Sequence, residues 1–371
     1  MKLRFNRETF LAALAKAEAI VSARVSNAPT GVLVRSTGDG VQLHATSLKE
    51  TLTATVDAEA ESGAVILPAP SFGDILRKFS ADVVDVEENA GKLVVKCGKS
   101  KYNLTTTSAD RFPETEYGER SHLATVAGSD LVKAIQSGGI AAAPKEQFPL
   151  YLGGVCIHGT GDKINIVSTD SRRVACYSVA AHGEPFQVVV PADSMRRIAR
   201  VVGGGDVVIE RDAGQVFFST EGMTYAVRMI ETKFPPYERH IEAAHDCGLS
   251  VNRKEIVDAL GRASIIARGG TGVATLRMVD GGLRVSSWSN SGTCSEVVSV
   301  TPKGLSKFVA SFNVEFLMAG LQQAEGDDVV ISCRGEKEQA AIFGVFSYVI
   351  MPVALSDEER SGMDIAEIMA A

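Results

Sequence analysis

An internal repeat of about 123 residues constrains the fold of this 371-residue chain more than any other feature of its sequence. Three segments read as the start of a capped amphipathic helix: Asn6-Arg7-Glu8-Thr9-Phe10, Ser129-Asp130-Leu131-Val132 and Asn252-Arg253-Lys254-Glu255-Ile256, with both intervals equal to 123. Asn6, Ser129 and Asn252 are the N-cap candidates, because a short polar side chain accepts a backbone N–H that the helix leaves unpartnered. Asn252 and Glu255 also have capping-box spacing. A second series, Pro68-Ala69-Pro70-Ser71, Pro191-Ala192-Asp193-Ser194 and Asn313-Val314-Glu315-Phe316, opens another helix in each third, at intervals of 123 and 122. A third series sets Tyr102, Tyr225 and Tyr348 on strand-like segments 123 residues apart. Three independent series in one order and period predict three copies of one α+β unit.

The remainder of each copy reads as strand. Apolar and polar residues alternate in Val41-Gln42-Leu43-His44-Ala45 and in Lys92-Leu93-Val94-Val95-Lys96-Cys97. The second helices each keep one apolar face: Phe72, Ile75 and Leu76; Met195 and Ile198; Leu317 and Leu321. The run Val202-Gly203-Gly204-Gly205-Asp206 is a turn after a helix and not a phosphate loop, since no Gly-Lys-Ser/Thr comes after it. Three such units joined edge to edge predict an arc with an unpaired strand edge at each end. A second chain joined head to tail covers both edges and closes a ring.

Composition narrows the function. The six cysteines are scattered, without a Cys-x-x-Cys pair or a histidine at ligand spacing, so no disulfide framework, metal site or cofactor is expected. No apolar run reaches membrane length and Met1-Lys2-Leu3-Arg4-Phe5-Asn6 is no signal peptide, which predicts a cytoplasmic protein with no membrane partner. The net charge of −7 argues against a generally basic DNA-coating surface, yet it allows positive charge gathered on one concave face. None of the six histidines sits in a nucleophile motif. A hydrolase built on Thr169, Asp170 and Arg173 is the enzyme alternative to a non-catalytic reading.

Three segments then carry a resemblance: Val167-Ser168-Thr169-Asp170-Ser171-Arg172-Arg173-Val174-Ala175, Phe234-Pro235-Pro236-Tyr237-Glu238-Arg239 and Tyr348-Val349-Ile350-Met351-Pro352-Val353-Ala354-Leu355. In motif, order and period, residues 1–355 resemble the bacterial DNA polymerase III beta subunit, or beta sliding clamp, family. The resemblance implies an α+β chain of three DNA-clamp (processivity-fold) domains at 1–122, 123–246 and 247–355, a C-terminal extension at 356–371, and a six-domain ring of two chains. It implies a processivity factor that encircles double-stranded DNA without sequence preference and tethers a DNA polymerase catalytic subunit, a clamp loader and other clamp-binding-motif proteins.

The peptide pocket so implied takes Leu152, Thr169, Ser171, Arg172, Arg173 and Val174 from the middle copy and Pro235 and Arg239 from the linker after it. Val349, Met351, Pro352, Val353 and Leu355 complete it. Arg24, Lys145 and Tyr151 are DNA contacts by the same resemblance. Arg77, Lys78, Arg196, Arg197 and Arg200 are the basic candidates on the second helices. In the homodimer, Tyr102 and Leu104 would meet Ile265 and Ile266. The sequence departs from the family in the loop Val25-Ser26-Asn27-Ala28-Pro29-Thr30-Gly31, at Ala354 where a basic residue is usual, and in continuing for sixteen residues past Leu355. These departures make a diverged accessory clamp the alternative reading. The extension begins acidic and ends with Ile365, Ile368 and Met369 at helical spacing, so a tethered competitor for the pocket is expected.

Overall fold

Both helices of every copy form: Arg7–Val21 and Ser71–Lys78, Gly128–Gly138 and Ala192–Val201, Arg253–Ala267 and Val314–Gln323. The computed structural model describes residues 1–21, 31–144, 147–241, 247–333, 338–342, 344–357 and 360–362. Asn6 Oδ1 accepts from the backbone N–H of Glu8 and Thr9 at 3.0 and 3.1 Å, Asn252 from Glu255 at 3.1 Å and Asn313 from Phe316 at 3.0 Å. Ser129 is not a cap. Its helix starts one residue earlier, at Gly128, and the Ser129 hydroxyl turns to Asp130 at 3.4 Å. The chain enters there by close backbone contact instead. Gly128 N–H donates to Gly205 O at 2.8 Å, and a Cβ on Gly128 would lie 2.4 Å from Gly203 O. Gly205 itself sits at φ +92°, which bears out the turn reading of the glycine run.

The repeat extends to single contacts. Arg7 Nε donates to Ala81 O at 3.2 Å, and Arg253 Nε, two periods on, donates to Gly326 O at 2.8 Å. Thr46 Oγ1 donates to Glu50 O at 3.1 Å and Thr169 Oγ1 to Arg173 O at 2.7 Å, each closing a tight turn. In both turns the third residue, Leu48 or Ser171, takes a positive φ, +69° and +71°. That conformation is uncommon for a residue with a side chain.

Contacts divide the chain into two units: Met1–Lys133, Gly159–Lys163 and Ala180–Ile230; and Ala134–His158, Ile164–Val179 and Glu231–Ala371. Unit 1 holds a five-stranded sheet ordered Ala58–Ala60, Lys2–Asn6, Val83–Asn89, Lys92–Cys97, Ser100–Thr105. It also holds a nine-stranded sheet in which Met223–Arg228 pairs with Glu50–Val56, Tyr225 lying opposite Leu52. The predicted alternation holds: Val41, Leu43 and Ala45 are fully buried while Gln42 and His44 are half-exposed. Phe10, Leu14 and Ala17 line one face of the first helix at 0% exposure, with the Phe10 ring stacked on Phe5 at 3.9 Å. Burying each large apolar side chain of this kind contributes about 1.5–3 kcal/mol.

Unit 2 repeats the plan. Phe346–Ile350 pairs with Arg173–Ala180, Tyr348 lying opposite Ala175. A separate four-stranded sheet runs Gly292–Val298, Gly282–Ser289, Val273–Val279, Val309–Asn313. The tyrosine series thus marks one kind of strand, the one that joins a repeat to the next. Its first member, Tyr102, lies on the free edge of the five-stranded sheet and is 43% exposed.

Candidate functional site

In unit 2 the three motif segments converge on one cleft of about 180 Å³. It is lined by Thr169, Ser171, Arg172, Arg173 and Val174, by Phe234, Pro235, Pro236, Tyr237 and His240, and by Val349 and Met351, with Tyr151 and Gln339 completing the lining. Strand pairing brings the first and last groups together, since Val174 lies directly opposite Val349. The linker is fixed by its tyrosine. Asn165 Nδ2 donates to Tyr237 Oη at 3.1 Å, His158 Nδ1 lies 2.8 Å from the same oxygen, and Ser178 Oγ donates to Asn165 Oδ1 at 2.7 Å. Burial pushes the Tyr237 hydroxyl well above its ordinary pKa, so it stays a neutral hydrogen-bonding group.

The two arginines of the cleft differ. Arg173 is committed to the fold: its Nε donates to Asp170 Oδ2 at 2.9 Å, and its guanidinium carbon lies 3.8 Å from the centre of the Phe316 ring. A further guanidinium nitrogen lies 3.4 Å from Tyr348 Oη, which itself donates to Phe316 O at 2.8 Å. Burial pushes the Tyr348 hydroxyl up to about 12. Arg172 is exposed and free to meet a ligand. Arg239 is also exposed, beside the cleft rather than in its lining.

Of the other sequence-predicted pocket residues, Leu152 is buried at 5% exposure behind the wall. Pro352, Val353 and Leu355 are not in the lining, because Val353 N–H donates to Ser311 O at 2.7 Å and carries the chain off toward the strand Val309–Asn313. Tyr151, a DNA candidate in the sequence, lines the cleft with its ring edge-on to Phe234 at 5.7 Å. Sequence reasoning missed His240 and Gln339, which carry no motif of their own. Phe234, Pro236 and Tyr237 were visible in their motif, though not as lining residues.

Thr169 Oγ1 donates to Arg173 O and accepts from Ser171 N–H, and both Asp170 carboxylate oxygens are taken by the turn and by Arg173. A hydrolase built on this trio has neither a free nucleophile nor a free base. Among the described residues no group of three His, Cys, Asp or Glu could hold a metal ion, and no helix is long and apolar enough to cross a membrane.

The basic candidates for DNA divide as well. Arg24 and Lys145 lie outside the described residues. Arg77 pairs with Glu18 and Asp74, and Arg196 with Asp193. Arg197 turns inward onto Glu50, its Nε 2.8 Å from Oε2. Lys78 and Arg200 are exposed and have no ion-pair partner among the described residues. Of the dimer candidates, Ile265 is 70% exposed and Leu104 half-buried. Ile266 packs toward Gly292 on the free edge of the four-stranded sheet.

Comparison with known proteins keeps the same three-part division. The N-terminal, central and C-terminal domain models of the DNA polymerase III beta subunit match residues 1–116, 125–236 and 241–353. The beta sliding clamp of Pseudomonas putida is 27% identical over 369 residues, covering 96% of this chain and 100% of that protein. That of Staphylococcus aureus is 26% identical over 301 residues, covering 78% and 80%. The crystal structure of the DNA polymerase III subunit beta from Pseudomonas aeruginosa superposes with a TM-score of 0.89 at 26% identity, over 96% of this chain and 100% of that one. The Thermotoga maritima beta subunit, at 22% identity and TM-score 0.87, shares the fold.

Proposed function

This chain belongs to the DNA polymerase III beta-subunit family and is a DNA sliding clamp, and from that premise we propose that it closes with a second copy around duplex DNA and receives its partners' peptides in the unit 2 cleft. The observation that carries the peptide reading is the meeting of residues 169–174, 234–240 and 349–351 in one apolar cleft with a polar rim. Val174, Pro235, Val349 and Met351 offer apolar contact, and methionine adapts to varied side chains. A short peptide docked there binds at about micromolar strength, near −8 kcal/mol, which lets polymerase and clamp loader exchange.

The cleft's lining carries Arg172 and Arg173, and the acidic residue of the turn, Asp170, is spent on Arg173. A free cationic rim of Arg172 with nearby Arg239 favours a peptide with an acidic residue beside its apolar anchors. Fluorescence anisotropy with a polymerase-derived peptide tests the site. Met351, 48% exposed, can be changed without disturbing the core. Met351→Glu is expected to weaken binding at least tenfold, about 1.4 kcal/mol, and Arg172→Glu several-fold. Wild-type affinity in Met351→Glu would place peptide binding elsewhere.

Contact with DNA phosphates is sequence-independent and salt-sensitive, as sliding requires. Acidic neighbours neutralise much of the helical positive charge, so few net contacts are expected. Changing Lys78, Arg196 and Arg200 together to alanine should reduce the slope of log K against log salt, by about 0.9 per lost phosphate contact. An unchanged slope would assign these helix faces to solvent alone.

A further inference from the structure

In the first two repeats the chain leaves its last strand and folds back over a sheet face turned away from the helices. After Ser100–Thr105 it places Phe112 in a small cluster with Leu33 and Ile66. After Met223–Arg228 it places Tyr237 against Asn165 and His158. The third repeat ends its last strand at Ile350, and the chain then continues through residue 371.

The sheet face available to that final segment is unusual. Register sets Ser311, Thr275, Ser286 and Ser295 in one row across all four strands. Leu283 and Val285 alternate with this row's face and are fully buried on the side of helix Arg253–Ala267, so the hydroxyl row points the other way. Ser286 is nevertheless 0% exposed. Thr275 and Ser311 bond each other at 2.8 Å, while Ser286 Oγ, Ser295 Oγ and Arg284 Nε are buried without a hydrogen-bond partner among the described residues. An outward strand face rich in hydroxyls is at home in water. Buried, it needs a polar cover.

The root of the C-terminal segment crosses this face. Val353 N–H donates to Ser311 O, and Arg360 N–H donates to Ser356 O at 3.0 Å in one helical turn. Gly362 is buried close against the Trp288 ring: a Cβ there would lie 2.3 Å from the indole. Trp288 is on the same face as Ser286 and stands at the repeat position of Thr46 and Thr169. Only one strand spacing of about 5 Å separates Trp288 from the sheet's free edge.

We propose that the segment rooted at Ser356 and carrying Gly362 is the third repeat's strap: this chain's own C-terminal segment docks across the hydroxyl row and the Trp288 ring, away from the peptide cleft. The residues Ile365, Ile368 and Met369, expected from sequence to compete for the cleft, lie outside the described residues. The root nonetheless heads toward Trp288.

Trp288 is the chain's only tryptophan, so intrinsic fluorescence reports on this contact alone. Truncation after Leu355 is expected to red-shift the emission and at least double quenching by acrylamide, and a synthetic 356–371 peptide added in trans should reverse both. Gly362→Val keeps every other residue and should shift emission in the same direction, which guards against a truncated chain that fails to fold. Unchanged emission and quenching in Gly362→Val and in a folded truncation would overturn the strap. So would protection of Trp288 that disappears on dilution, since the cover would then come from a second copy. Binding of a polymerase-derived peptide should be equal in full and truncated chains; a several-fold gain on truncation would place the tail in the cleft instead.

Discussion

Replacing Glu50 with alanine is expected to destabilise unit 1 by about 3 kcal/mol, toward the lower end of the cost of breaking a buried ion pair. Glu50 is 3% exposed, and its carboxylate takes a two-point contact from Arg197 and a hydrogen bond from the Ser194 hydroxyl. The Arg197 side chain is 23% exposed, so water relieves part of the loss and the lower figure applies. Burial works against the charge on Arg197, but the Glu50 carboxylate more than offsets it and the net shift is upward. Without Glu50, that charge remains in a half-buried site with no anion. A double replacement, Glu50→Met with Arg197→Leu, removes both charges and should recover most of the stability. Urea unfolding of Glu50→Met, Arg197→Leu and the double variant gives the coupling energy directly. A loss below about 1 kcal/mol in Glu50→Ala would put the pair in the class of exposed salt bridges.

Nothing local in the sequence marks this pair. Period, caps and apolar faces are local patterns, and three copies of each made the two-helix repeat and the joining strands readable. Glu50 and Arg197 are 147 residues apart, and the pair is not repeated one period on: the corresponding residues are Arg173 and Ala319 or Met318. Arg173 shows the converse. Its motif puts it in the cleft, with Asp170 three residues away in the same motif, but only the folded chain brings the Phe316 ring against its guanidinium. The resemblance makes Tyr151 a DNA contact, and nothing in its own segment signals that it lines the cleft; the ring contact to Phe234 is seen only in the fold. At Ser129 a good capping residue lost its place to the backbone approach of Gly128 and Gly205. Local chemistry was legible, and cross-repeat partnering was not.

The second large effect is expected at the seam that closes the ring. The two joins within the chain each begin their receiving strand with a latched charge, Glu50 in one and Arg173 in the other. The corresponding residue of the free edge strand is Gly292, which has no side chain to latch. Closure by a second copy is therefore expected to rest on backbone pairing of Ser100–Thr105 with Gly292–Val298 and on apolar contacts, with the exposed Ile265 and Tyr102 the chief candidates. A five-stranded and a four-stranded sheet paired in this way match the nine-stranded sheet already present in unit 1. Burying two such side chains supplies about 3–6 kcal/mol before association costs. Ile265→Asp with Tyr102→Asp, which sets like charges at facing positions, should accordingly yield a folded monomer by sedimentation velocity at concentrations where the wild type is dimeric, and persistence of the dimer would move the interface elsewhere. Register gives a sharper check. Tyr225 faces Leu52 and Tyr348 faces Ala175, each two residues past the latched position, so Tyr102 should face Cys294 of the second copy. A Tyr102→Cys chain treated with a mild oxidant should then form covalent dimers, faster at alkaline pH because burial raises the Cys294 thiol and leaves less thiolate near neutrality. Cross-linking that survives replacement of Cys294 by serine would show that another cysteine is responsible and that this register is wrong.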